Sequence, residues 1–161
     1  MTKRRIFYSF HYGKDVMRVQ QIRNIGALED NKPVSANDWE EVKRKGDTGI
    51  KNWINENMAN RSCVVVLVGE ETYKRPWVKY EIRKAFDDGR ALLGVHVHNL
   101  NDPNTGYGSK GQNPFDQFDF KDKFGNPIKI LCKNPKTTDA YNDIRENLEK
   151  WIEEAIKLKV W

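Results

Sequence analysis

The sequence predicts a doubly wound α/β fold, a mainly parallel sheet with helices on both faces, and three observations carry that expectation. SCVVVLV (62–68) is a near-continuous apolar run, the kind of strand a parallel sheet buries on both faces. Near the end of the chain, Tyr141, Ile144, Leu148, Trp151, Ile152 and Ala155 recur at helical spacing and mark a long amphipathic helix. Between and before these, short apolar runs alternate with helical patterns rather than clustering by type.

Taken in order, RIFYSF (5–10) reads as the first strand, followed by a turn at His11 to Lys14. Asp15 is placed to cap a helix carrying Val16, Val19 and Ile22. PVSA (33–36) reads as a weaker extended piece, and Asp47 or Thr48 as the cap of a helix carrying Ile50, Trp53, Ile54 and Met58. After the strand at 62–68, RPWVKYEIRKAFDDG (75–89) forms a helix. Pro76 suits its first position, Val78, Ile82, Ala85 and Phe86 make its apolar stripe, and Gly89 ends it. ALLGVHV (91–97) is a further strand, Asn99 to Pro127 a long polar stretch, and IKILC (128–132) the last strand before the final helix. The 161 residues are enough for a single domain, expected to occupy 1–161.

Composition narrows the function classes. No apolar run approaches the roughly 20 residues that span a bilayer, and the basic-then-apolar start lacks a leader's length and cleavage site. A cytoplasmic protein without membrane partners is expected. Cys63 and Cys132 lie within apolar runs, which suits buried thiols in a reducing compartment better than a disulfide. The net charge is +5, but the basic residues are interleaved with 23 acids, so a solvated surface is expected rather than a nucleic-acid footprint. Attraction of a small anion remains open.

In such sheets ligands bind outside the carboxyl ends of the strands, which directs attention to His11–Lys14, Gly69–Pro76 and Asn99 onward. Glu81 lies in a helix that begins at that rim, at the margin of its apolar stripe and beside Trp77. On the residues alone it fits a surface pair with Lys84 better than a functional carboxylate. There is no GxGxxG, no GxxxxGK[ST] and no GxSxG. His96 and His98 share one strand face but lack a third ligand, so no metal is expected. Ser9 and His11 do not make a nucleophile and base. GSKGQNPFDQF (108–118) belongs to a connection long enough to be functional; it reads equally as a cover over a cleft and as a surface loop pinned by Phe115 and Phe118.

Together, RIFYSFHYGKD, VVVLVGEETYKRPWVKYEI and GQNPF resemble the TIR-like family of bacterial Thoeris antiphage defence proteins, over about residues 4 to 156. The resemblance implies a flavodoxin-like fold and cleavage of NAD⁺ between nicotinamide and ribose, giving a cyclic or otherwise modified ADP-ribose signal. It implies that Glu81, four residues after Trp77, is the catalytic carboxylate, and it matches Ser9, Phe10, His11 and Tyr12 to the end of the family's first strand. The aromatic-basic turn here departs from the long loop of animal signalling TIR domains. Trp77, Tyr12 or Phe10 are candidates to stack on a substrate ring and Lys14 or Arg75 to meet the pyrophosphate. Asn113 and Phe115 are candidates to close over the cleft. NAD⁺ enters as substrate, with no separate cofactor expected. The partners the resemblance implies are a product-sensing effector, reached through a diffusible signal; a second copy of the chain and a phage-derived trigger are further candidates. The competing reading is a non-catalytic module that recruits partners through its helices.

Overall fold

The computed structural model describes residues 4–25 and 36–161. Four parallel strands, β1 (Ile6–Ser9), β2 (Cys63–Val68), β3 (Ala91–His96) and β4 (Leu131–Lys133), form a sheet in the order β1-β2-β3-β4. Among the described residues five α-helices accompany it: α1 (Tyr12–Arg23), α2 (Ala36–Lys43), α3 (Gly46–Met58), α4 (Pro76–Asp87) and α5 (Ala140–Leu158). This is the expected α/β class.

Strand side chains alternate between two apolar clusters, which is why the strands read as unbroken apolar runs. Cys63, Val65 and Leu67 of β2 face the layer of α1 and α5, with Val19, Ile22, Ile144 and Leu148. Val64, Val66 and Val68 face the layer of α2, α3 and α4, with Val42, Ile54 and Ile82. Burying each of these branched side chains is worth about 1.5–3 kcal/mol. Of the expected stripe of α5, Ile144, Leu148, Trp151, Ile152 and Ala155 are buried and Tyr141 is half-buried.

Several boundaries differ from the sequence expectation, each for a local reason. Helix α1 begins at Tyr12 rather than at Asp15, because the His11 imidazole caps it, Nδ1 accepting from the Lys14 N–H at 2.7 Å. The PVSA piece lies outside the described residues except for Ala36, which opens helix α2. Helix α3 begins at Gly46, whose φ of 73° is open to glycine and lets the chain turn sharply after α2. Gly89 ends the α4 run as expected: its φ is 76°, and the Arg90 N–H returns to the Ala85 carbonyl. The last strand keeps only Leu131–Lys133, since the Ile128 N–H is drawn to the Phe120 carbonyl and Lys121 bridges Pro127. Cys63 is buried and Cys132 half-buried, both as free thiols.

Candidate active site

The carboxyl end of β1 and the start of α4 meet over a cleft of about 280 Å³. One wall comes from Phe10, His11, Tyr12 and Gly13, a second from Arg75, Pro76, Trp77 and Val78, and a third from Trp39 and Lys43 of α2. Glu81, in the second turn of α4, lies at its base and is 2% exposed. Its Oε1 accepts a hydrogen bond from the Ser9 hydroxyl at 2.8 Å. Burial pushes the Glu81 carboxyl up to about 8, and the Ser9 hydrogen bond opposes the rise only in part. The surface pairing with Lys84 is not made: Lys84 binds Asp88 at 2.8 Å instead.

The neighbouring aromatic groups are fixed by one another. The Tyr12 ring stacks on Trp39 with centroids 4.2 Å apart and planes at 15°, while Phe10 packs at 4.1 Å. The Tyr12 hydroxyl is buried without a hydrogen-bond partner among the described residues. Burial, and then the charge of Glu81, hold its phenol well above the ordinary range. Trp77 is half-buried and meets Tyr80 edge-on at 5.7 Å. Burial and then the charge of Arg75 lower the His11 imidazole, favouring its neutral form.

Of the residues expected at the site, Phe10, His11, Tyr12, Trp77 and Glu81 line the cleft, and Ser9 holds Glu81 from the end of its strand. Lys14 does not line it: its ammonium lies 3.2 Å from Glu70 and 3.4 Å from Glu71. Asn113 and Phe115 stand elsewhere too. The Asn113 side chain caps a 3-10 turn, accepting from the Phe115 N–H at 2.9 Å, and the Phe115 ring is buried in the core against Gly94. Neither is among the cleft-lining residues, and the buried Phe115 matches the pinned loop, one of the two readings the sequence left open. Trp39 and Lys43 were not anticipated; the i, i+3 spacing of Trp39 and Val42 in SANDWEEV was the available signal.

Beyond the cleft, His96 and His98 are buried with their rings edge-on at 5.7 Å and both Nδ1 atoms without a partner among the described residues. Burial, then Lys110, lowers both imidazoles, His96 to about 4. Among the described residues no group of three or more histidine, cysteine, aspartate or glutamate side chains is arranged to hold a metal. No described helix is long and apolar enough to cross a membrane.

The family model described as Thoeris protein ThsB, TIR-like domain, matches residues 7–102, a span that includes every cleft-lining residue. The chain belongs to the ThsB TIR-like family. A relative from Bacillus cereus (strain MSX-D12), named "Putative cyclic ADP-D-ribose synthase ThsB1", is 36% identical over 124 residues. That alignment covers 73% of this chain and 64% of the relative's length. The ThsB match thus joins the β1 turn, α2 and α4, the three elements that build the cleft.

Proposed function

We propose that this chain breaks the bond between nicotinamide and ribose in NAD⁺ and joins the ribose to the adenine of the same molecule, giving a cyclic ADP-ribose signal. The observation that supports it most is Glu81, a buried carboxylate at the base of an aromatic-walled cleft, with a single hydrogen bond from Ser9. The name of the Bacillus cereus relative supports the product class.

With its carboxyl at about 8, Glu81 is largely protonated in the free cleft at neutral pH. A cationic nicotinamide brought alongside favours the ionised form. Once ionised among apolar neighbours, the carboxylate stabilises the oxocarbenium-like ribose as the glycosidic bond breaks. The electron pair of that bond goes to the pyridinium nitrogen, so nicotinamide leaves neutral. The positive charge passes to the ribose and then to the adenine ring, whose nitrogen attacks the anomeric carbon. If water attacks instead, a proton is lost and linear ADP-ribose forms. Tyr12, Trp39 and Trp77 line the cleft and keep water away from that step. Within the same reading, the product diffuses to a separate nucleotide-sensing effector in the cytoplasm.

The test is to incubate the protein with NAD⁺, alone and with an extract of phage-infected cells, and to measure free nicotinamide and the mass of the nucleotide product. Nicotinamide release with a product one water lighter than ADP-ribose is expected. Intact NAD⁺ under both conditions would contradict the proposal.

A further inference from the structure

The cleft is electrically bipolar. Glu81 is the one acid lining it among the described residues, and it sits at the base; the two cations, Lys43 of α2 and Arg75 at the N-cap of α4, are exposed at the mouth. The Arg75 guanidinium makes no hydrogen bond or ion pair with the described residues. Lys43 is paired with Glu40 at 2.9 Å, but both side chains are about half exposed, so the pair is loosely held. Lys14, by contrast, does not line the cleft and lies between Glu70 and Glu71. Beside Arg75, α4 opens without a side-chain cap; Pro76 has no N–H and the Lys79 N–H returns to the Arg75 carbonyl, which leaves the Trp77 and Val78 N–H groups uncapped near the same mouth.

Size and charge together fix how a ligand lies. The cleft's volume of about 280 Å³ is at the small end for ligand sites, which run from about 300 Å³. It accommodates a pyridinium ring and its ribose, with the cationic end at Glu81, and leaves any attached phosphate at the mouth. We propose that Lys43 and Arg75 select the phosphorylated form of a pyridinium riboside by binding the phosphate next to the ribose. This rests on the NAD⁺-cleaving reading above and adds the substrate feature that the mouth recognises.

The experiment compares NAD⁺ with nicotinamide riboside, which carries the same cationic end and no phosphate. Nicotinamide release is measured for the unaltered protein, Lys43→Ala, Arg75→Ala and the double variant. The ratio of kcat/KM for NAD⁺ to that for the riboside should fall about threefold in each single variant and about tenfold in the double variant. Added salt should lower the ratio in the unaltered protein and leave it nearly constant in the double variant. Ratios that stay constant across the variants would overturn the phosphate-selecting mouth while leaving NAD⁺ cleavage standing. Should no compound release nicotinamide, the cleavage reading fails, and quenching of tryptophan fluorescence by NAD⁺ reads the mouth separately. Weaker quenching in the double variant supports the proposal, and equal quenching overturns it.

Discussion

Two carboxylates, Glu81 and Asp15, are buried at the same rim of the sheet and do opposite things. Glu81 is 2% exposed and Asp15 1%. Burial raises both, Glu81 to about 8 and Asp15 to about 6. Their surroundings differ. Asp15 receives the Thr72 hydroxyl at 3.4 Å, and Arg18 stands 3.8 Å away while its guanidinium also binds the carbonyls of Leu100 and Gly106. The carboxyl of Asp15 fills the space where a side chain at Gly69 would be, and Asp15 does not line the cleft. Glu81 has the Ser9 hydroxyl behind it and a cleft in front. Burial alone therefore does not make a site: Asp15 ties α1 to the turn after β2 and its neighbour Arg18 ties it to the turn after β3, whereas Glu81 retains an approach for a ligand.

The contrast can be broken from either side. The largest effect is expected from Asp15→Ala, which leaves Thr72 without its acceptor and Arg18 without its nearby charge. A loss of roughly 2–4 kcal/mol in chemical denaturation is expected. Glu81→Gln should do the reverse. A carboxyl whose folded value is about 8, against an ordinary 4.5, lends stability below about 4.5 that is lost as pH rises toward 8. The variant removes that loss, so thermal melts should show it more stable by about 2 kcal/mol at pH 8, with the gain vanishing near pH 4.5. Ser9→Ala is expected to be the mildest. It removes the one hydrogen bond that lowers the Glu81 carboxyl, so kcat/KM for NAD⁺ should fall by about fivefold and the acid limb of its pH profile should move upward. An acid limb that stays in place would separate Ser9 from Glu81.

Much of this arrangement was legible in the sequence, and the exceptions have physical causes. SCVVVLV and the α5 stripe announce themselves because both faces of one and a single face of the other are buried. The rim around His11–Tyr12 and Trp77–Glu81 follows from the rule that ligands sit at strand carboxyl ends. The burial of Glu81 was not legible from periodicity, because its partner Ser9 is 72 residues away and Lys84, the near candidate, turns to Asp88. The third wall was missed for a related reason. Trp39 is held by stacking on Tyr12 and edge contact with Trp53, contacts that exist only once three helices meet. Asn113 and Phe115 show the converse: aromatic anchors in a long loop read equally as a cover or as pins, and here Phe115 fills the space that Gly94 leaves in β3.

The central claim is that Glu81, and not its buried neighbour, is the carboxylate that cleaves NAD⁺. The most direct measurement is nicotinamide release by Glu81→Gln and Asp15→Asn beside the unaltered protein, with each variant shown to be folded by its thermal melt. The account predicts a loss of about 10³-fold for Glu81→Gln and of less than about tenfold for Asp15→Asn. Turnover by Glu81→Gln at the unaltered rate, or equal losses in the two variants, would contradict it.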